Sequence, residues 1–108
     1  MKKIIFQEIV EKVKEVWEPE DVAFINEAAL RIAKLEGAYD WHTHPQEDEF
    51  FLVIKGRVFI DTREESVELN EMEGFLVKRG TRHRSRTEEP AWVLLIEPSR
   101  TKTKGEKG

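Results

Sequence analysis

Two histidines separated by one residue, His42 and His44, open the stretch best suited to chemistry, which is DWHTHPQEDEFFLVIKG. Neutral imidazole nitrogens bind first-row divalent ions, and the carboxylate of Glu49 would add an oxygen donor. The remaining histidine, His83, lies far along the chain. Such a set leaves coordination positions open for water or for an oxygen-bearing ligand. Spacing alone also allows a second interpretation, in which the paired histidines are polar side chains on an exposed strand.

The alternation of side chains along a β-strand explains how these residues could meet. His42 and His44 would point to one face of a strand, because every second side chain shares a face. Pro45 and the polar residues after it predict a turn. On the following strand Glu49 shares a face with Phe51, so its carboxylate can stand opposite the histidines.

The rest of the chain predicts one helix followed by many strands. Apolar residues recur at helical spacing over residues 4–17, and Pro19 ends that pattern. Glycine, proline and asparagine then separate short apolar or alternating runs. These runs are VAFI, ALRIAKLE, DWHTH, EFFLVI, RVFID, SVEL, GFLV, RHRSR and AWVLLIE. The pattern indicates an all-β, antiparallel sandwich or barrel.

The segments divide into an N-terminal helix over 1–20, a β-domain over 21–98 and a polar tail over 99–108. We expect the tail, which ends TKTKGEKG, to be frayed. At 108 residues the chain is long enough for one domain with a core. One site is therefore the expectation.

Composition excludes several classes of function. A net charge of -4 provides no basic field for nucleic acid or an anionic membrane surface. The absence of cysteine excludes disulfides, zinc fingers and iron–sulfur ligation. Its first residues are too acidic and too briefly apolar for a signal peptide or membrane span, so we expect a cytoplasmic protein. Abundant Glu, Lys and Arg would also suit a thermophile.

The stretch resembles the first motif of the cupins, in which His-x-His, three or four residues, Glu, six residues and Gly follow one another. Here His44 is followed by four residues, Glu49, six residues and Gly56. Gly80 and His83 match the centre of the second cupin motif, although Lys78 and Thr87 replace its usual proline and asparagine. The resemblance spans roughly residues 28–98. Within it, the chain is similar to small single-domain cupins labelled mannose-6-phosphate-isomerase-like.

What the resemblance implies is a conical antiparallel jelly-roll barrel with a divalent metal ion, either Zn, Mn, Fe or Ni, near its centre. Carried over, the ligands are His42, His44, Glu49 and His83. A metal-dependent isomerase or dioxygenase acting on a sugar, sugar phosphate or hydroxy acid would fit. The alternative is a non-catalytic module that binds or senses a small molecule. An apolar helix and open barrel edges favour a homodimer.

Other residues are assigned lesser roles. Tyr39, Phe51 and Ser85 are candidates to line the substrate pocket. Glu47 and Asp48 could support the histidines or replace Glu49, although solvated turn positions are more typical. Three arginines share the strand face opposite His83, where a solvated outer face or dimer-interface ion pairing with the many acids is favoured over a phosphate patch; they are Arg82, Arg84 and Arg86. The three tryptophans are expected to pack the barrel wall or a dimer interface; they are Trp17, Trp41 and Trp92.

Overall fold

The computed structural model describes residues 1–107 and confirms the all-β, antiparallel jelly-roll fold. One helix, α1, spans Phe6–Lys12. Nine strands follow: β1 (Glu20–Ile25), β2 (Ala28–Ala38), β3 (His42–Thr43), β4 (Glu49–Lys55), β5 (Val58–Thr62), β6 (Ser66–Leu69), β7 (Gly74–Val77), β8 (His83–Pro98) and β9 (Glu106–Lys107). Among residues 1–107, no helix is both long and apolar enough to cross a membrane.

Strand β8 organises the sheet, because it pairs antiparallel with β2, β3, β4 and β5. The sequence pattern predicted two strands here, with a turn at Pro90. Instead, β8 continues through Pro90, because the pairing with β2 shifts between Leu35 and Gly37 at this point. Proline lacks an N–H and is tolerated where a bulge interrupts the ladder. One strand therefore carries His83 at its start and the core residues of its second half.

The N-terminal helix is shorter than the predicted 4–17, and β1 begins at Glu20, within the segment expected to be helical. Val13 leaves the helical conformation with φ -85° and ψ 101°. Its carbonyl accepts a hydrogen bond of 3.0 Å from the indole N–H of Trp92. Val16 then forms a bridge to Lys34 of β2. Pairing with the sheet thus replaces the last helical turns that the local pattern suggested.

The predicted frayed tail is wrong for the described part of residues 99–108. Strand β9 pairs with β3, with His42 opposite Lys107. The guanidinium of Arg31 donates to the carbonyls of Ser99 at 2.7 Å and Thr101 at 3.1 Å. These hydrogen bonds hold the end of the chain against the barrel. The composition of the tail does not predict them, because they depend on a distant residue. Gly108 lies outside the described residues.

Two apolar layers cover the two faces of the sheet. The inner layer fills the barrel with buried side chains such as Phe51, Val53 and Val93. The outer layer joins α1 to the back of the sheet through Val13 and Ile32. At the β4–β5 turn, Gly56 has φ +94°, and an added Cβ would lie 2.9 Å from the Cβ of Ala91. Only glycine fits this turn without strain. The turn ends β4, the strand that carries Glu49.

Candidate metal centre

The structure brings together the four side chains that the sequence nominated. One potential ligand atom from each of His42, His44, Glu49 and His83 lies within 4.8 Å of the others, and all four residues are buried. The Nε2 atoms of His83 and His44 lie 3.4 and 3.6 Å from Oε1 of Glu49. His42 and His83 are direct partners in the β3–β8 pairing. The turn before His83 therefore delivers its side chain to the cluster.

Backbone carbonyls fix the orientation of two imidazoles. Nδ1 of His42 lies 2.8 Å from the carbonyl oxygen of Asp40. Nδ1 of His83 lies 2.9 Å from the carbonyl oxygen of Thr81. Because a carbonyl only accepts hydrogen bonds, the proton of each neutral ring sits on Nδ1 and the lone pair on Nε2. Nε2 of His44 is buried with no hydrogen-bond partner among the described residues. A buried imidazole nitrogen without a hydrogen-bond partner fits a metal ligand at this position.

Burial keeps the histidines ready to bind a cation. Burial lowers the pKa of His42 and of His83 below the usual 6.5. The pKa of His44 falls to about 4, first through burial and then through repulsion from His42 and His83. The rings are thus neutral at pH 7, and a metal ion need not displace protons from them. Their contacts with Glu49 are consequently contacts of neutral rings and not ion pairs.

Behind the cluster lies a buried chain of polar side chains that sequence reasoning missed. Burial raises the pKa of Glu49, and a hydrogen bond from Glu97 opposes that rise. Burial and Glu49 together raise the pKa of Glu97 to about 8. Arg31 donates to Oε2 of Glu97 at 2.5 Å. The two buried carboxyls are therefore coupled in their titration, and Arg31 anchors Glu97. Its signal was present in β8, where Val93, Leu95 and Glu97 occupy alternate positions on the buried face.

We expect the stability of Glu97→Gln relative to the wild type to depend on pH. The pKa of Glu97 is about 8 in the folded protein against an ordinary 4.5. Between these values the folded state binds a proton that the unfolded state lacks, so its stabilising effect declines as pH rises. Between about pH 5 and pH 8, the free energy of unfolding of the metal-free wild type should fall by a few kcal/mol relative to that of Glu97→Gln. Urea unfolding of both proteins at several pH values measures these free energies. Histidine titration is common to both proteins and cancels in the comparison. A difference in unfolding free energy that does not change with pH would contradict the prediction.

A cavity opens beside the cluster. His42 and Glu49 of the cluster line it together with Ser85, and the half-buried Trp17 and Tyr39 line it as well. Only a small part of this space is enclosed, and the rest is open to solvent. The remaining lining is Pro19, Ala33, Leu35, Phe51, Val93, Leu95 and Thr103.

The three candidate pocket residues, Tyr39, Phe51 and Ser85, all line this space. Trp17 and Thr103 do as well, although the sequence assigned Trp17 to packing and Thr103 to a frayed tail. No periodic pattern in the sequence predicted that either residue would line the cavity. Their positions follow from the Trp17–Lys34 backbone hydrogen bond and from the pairing of β9 with β3.

The tail also closes over the imidazoles. A Cβ added at Gly105 would lie 3.0 Å from Cδ2 of His42 and 3.1 Å from Cε1 of His44. It would lie only 2.6 Å from the carbonyl oxygen of Thr43. The backbone at Gly105 can approach the cluster this closely because the residue has no side chain.

The acids beside Glu49 do not join the cluster. The carboxylate of Glu47 accepts a hydrogen bond from Arg100 at 3.0 Å. Asp48 accepts one from the backbone N–H of Arg79 at 2.8 Å. Both acids are therefore engaged in the turn and on its surface, while the carboxylate of Glu49 faces the histidines.

The arginine face of β8 is an ion-pair network. Arg84 and Arg86 donate to Oδ2 of Asp61 at 3.0 and 2.7 Å, and Ser66 donates to Oδ1. Burial alone would raise the pKa of Asp61, but these hydrogen bonds outweigh it and lower the pKa to about 2. The guanidinium of Arg84 also lies over the ring of Trp41. These contacts direct two of the three arginines to Asp61 of the same chain. Ion pairing at a dimer interface stays a prediction.

Comparison with known proteins agrees with the geometry. Residues 30–97 match the family described as the cupin domain. An uncharacterized protein of Bacillus subtilis (strain 168), YdbB, is 33% identical over 96 residues, covering 88% of this chain and 85% of that protein. The crystal structure of a cupin-2 domain containing protein from Shewanella frigidimarina NCIMB 400 superposes with a TM-score of 0.85 at 28% identity, covering 88% and 93% of the two chains. The crystal structure of protein NMB1881 from Neisseria meningitidis superposes with a TM-score of 0.82 at 29% identity, covering 91% of this chain and 100% of that chain.

Proposed function

Because this chain belongs to the cupin family, we propose that it uses a divalent metal ion to bind or transform a small oxygen-bearing molecule. His42, His44, Glu49 and His83 would hold the ion. The observation that carries this proposal is the buried set of inward-facing donor atoms within 4.8 Å of one another. Three nitrogens and a carboxylate, with no sulfur, suit Zn, Mn, Fe or Ni.

A bound ion would orient and polarise oxygen atoms of a ligand at the positions that the protein leaves open. The chain's own residues supply the surroundings. The buried wall formed by Phe51, Val93 and Leu95 excludes water. Burial, and after it the charges of Asp40 and Glu49, raise the pKa of Tyr39, which keeps its hydroxyl protonated and able to donate a hydrogen bond.

A non-catalytic binding or sensing role is the second candidate, and one observation favours it. Among the described residues that line the cavity, Tyr39 is the one ionisable side chain outside the cluster. An isomerase needs a group that accepts and returns a proton near pH 7. A phenol with a raised pKa suits hydrogen bonding better than this task. Isomerase chemistry is accordingly less well supported than ligand binding or chemistry at the metal itself.

Cobalt substitution tests the proposal. Metal-free protein given one equivalent of Co²⁺ should develop visible absorption bands and unfold at a higher temperature, because the ion binds the folded state. Adding glycolate, a small chelating α-hydroxy acid, should shift those bands by occupying open positions. His42→Ala should show neither change. A wild-type protein without bands or stabilisation would contradict the proposed function.

A further inference from the structure

The wall of the cavity is apolar along most of its length, and this bears on which ligand it accepts. This inference rests on the proposed function. Polar groups from His42, Glu49 and Ser85 cluster at the metal end, while Ala33, Leu35 and other apolar side chains form the body of the wall. A sugar would place several hydroxyl groups against this wall, where the hydroxyls of Tyr39, Ser85 and Thr103 are too few to replace all the hydrogen bonds lost to water.

No described residue that lines the cavity is a lysine or arginine. A phosphate group remote from the metal would therefore enter the cavity without a cationic partner, at a high desolvation cost. Two arginines of β8 lie on the other face of the strand, where Asp61 binds them. The lining thus disfavours a sugar phosphate.

The mouth of the cavity is built around a conformationally strained tryptophan. Trp17 has φ 65°, a left-handed conformation that bulky side chains rarely adopt. Its backbone N–H donates to the carbonyl of Lys34 at 2.9 Å. Its ring lies 4.8 Å from that of Tyr39, which in turn lies 5.4 Å from the ring of His42. A row of rings thus runs from the mouth to the metal end, and strain held in place by contacts is typical of ligand clamps.

We propose that the cavity takes a compact α-hydroxy or α-keto acid with a branched or short apolar body. The two chelating oxygens face the cluster of His42, His44, Glu49 and His83. The body packs between Phe51 and the aromatic pair of Trp17 and Tyr39. A bound metal ion balances the charge of the chelating carboxylate, so no lysine or arginine is needed.

Three probes that share one chelating group test this preference on cobalt-loaded wild-type protein. They are glycolate, which has no body; glycerate, which has a polar body; and 2-hydroxyisovalerate, which has an apolar one. Spectral titration should show 2-hydroxyisovalerate binding at least about tenfold more tightly than glycerate, given the gain for each buried methyl group and the cost of burying a hydroxyl. Glucose 6-phosphate should not compete.

Variants at two tryptophans locate the effect. Trp17→Gly removes the ring at a backbone position that suits glycine, and should weaken 2-hydroxyisovalerate binding at least about fivefold while leaving glycolate binding and the cobalt spectrum unchanged. Trp17→Phe should restore most of the affinity. Trp41→Ala removes a tryptophan that lies against Arg84 and does not line the cavity. This variant should bind glycolate and 2-hydroxyisovalerate with unchanged affinity.

The outcomes separate this inference from the proposed function. Absence of cobalt bands would overturn the metal site itself. Normal bands that shift with glycolate, together with equal or tighter binding of glycerate or glucose 6-phosphate, would overturn the apolar-ligand inference alone. Equal loss of glycolate and 2-hydroxyisovalerate binding in Trp17→Gly would assign Trp17 a structural role and remove it from the clamp.

Discussion

Replacing Glu49 by glutamine is expected to weaken binding of Zn²⁺ or Mn²⁺ by at least about a hundredfold, since loss of a direct ligand should exceed the tenfold to hundredfold cost of disturbing its supports. The amide offers a neutral oxygen in place of an anionic one and alters the contact with Glu97. Isothermal titration calorimetry on metal-free protein measures the change. His83→Ala should have a comparable effect.

The same substitution at neighbouring acids provides the control. Glu47→Gln and Asp48→Asn change residues that bind Arg100 and Arg79, and should leave metal affinity nearly unchanged. Equal losses in all three acid variants would mean that the ion is attracted by the general negative charge of this turn. The assignment of Glu49 as the oxygen ligand would then be wrong.

Arg31→Met is expected to destabilise the metal-free protein by roughly 2–4 kcal/mol, because the buried carboxylate of Glu97 and the part-buried carbonyl of Thr101 lose their donor. The side chain of Arg31 is 14% exposed and that of Glu97 only 2%. Besides Glu97, it binds Asp21 at 2.9 Å and the carbonyls of Ser99 and Thr101. Urea unfolding gives the free energy directly.

A matched arginine on the surface serves as the comparison. Arg57 contacts Glu68 and Glu88, but its side chain is 47% exposed. Arg57→Met should therefore cost less than about 1 kcal/mol. The loss of unfolding free energy in Arg31→Lys should lie between those of the two methionine variants, because one ammonium group cannot reproduce the several donors of the planar guanidinium. If Arg31→Met and Arg57→Met proved equally stable, Arg31 would not hold the chain end and Glu97 as described.

The clustering of the candidate ligand side chains was predictable in part, because alternation along a strand is a local pattern. Alternation along a strand put His42 and His44 on one face, and the interval to Glu49 and Gly56 matched the first cupin motif. The strands that carry them, β3 and β4, both pair with β8 and not with each other. His83 entered the predicted set through its match to the second cupin motif. The family resemblance supplied the last step, the choice of a metal site over exposed polar side chains.

Features set by long-range contacts escaped the sequence. The helical pattern over 4–17 ends early because Val16 pairs with β2, some eighteen residues away in sequence. The tail resembled a frayed terminus because its ordering depends on Arg31 and on pairing with β3. Trp17 reaches the cavity through the same kind of contact. The homodimer and the cytoplasmic location stay predictions, since no interface or compartment is visible in a single chain.

The most direct measurement of the central claim is an anomalous difference map from crystals of the protein grown with Mn²⁺ or Zn²⁺, with data collected at the absorption edge of the metal. We predict one strong peak enclosed by Nε2 of His42, His44 and His83 and by the carboxylate of Glu49. An empty cluster, with peaks only at surface carboxylates, would contradict the account.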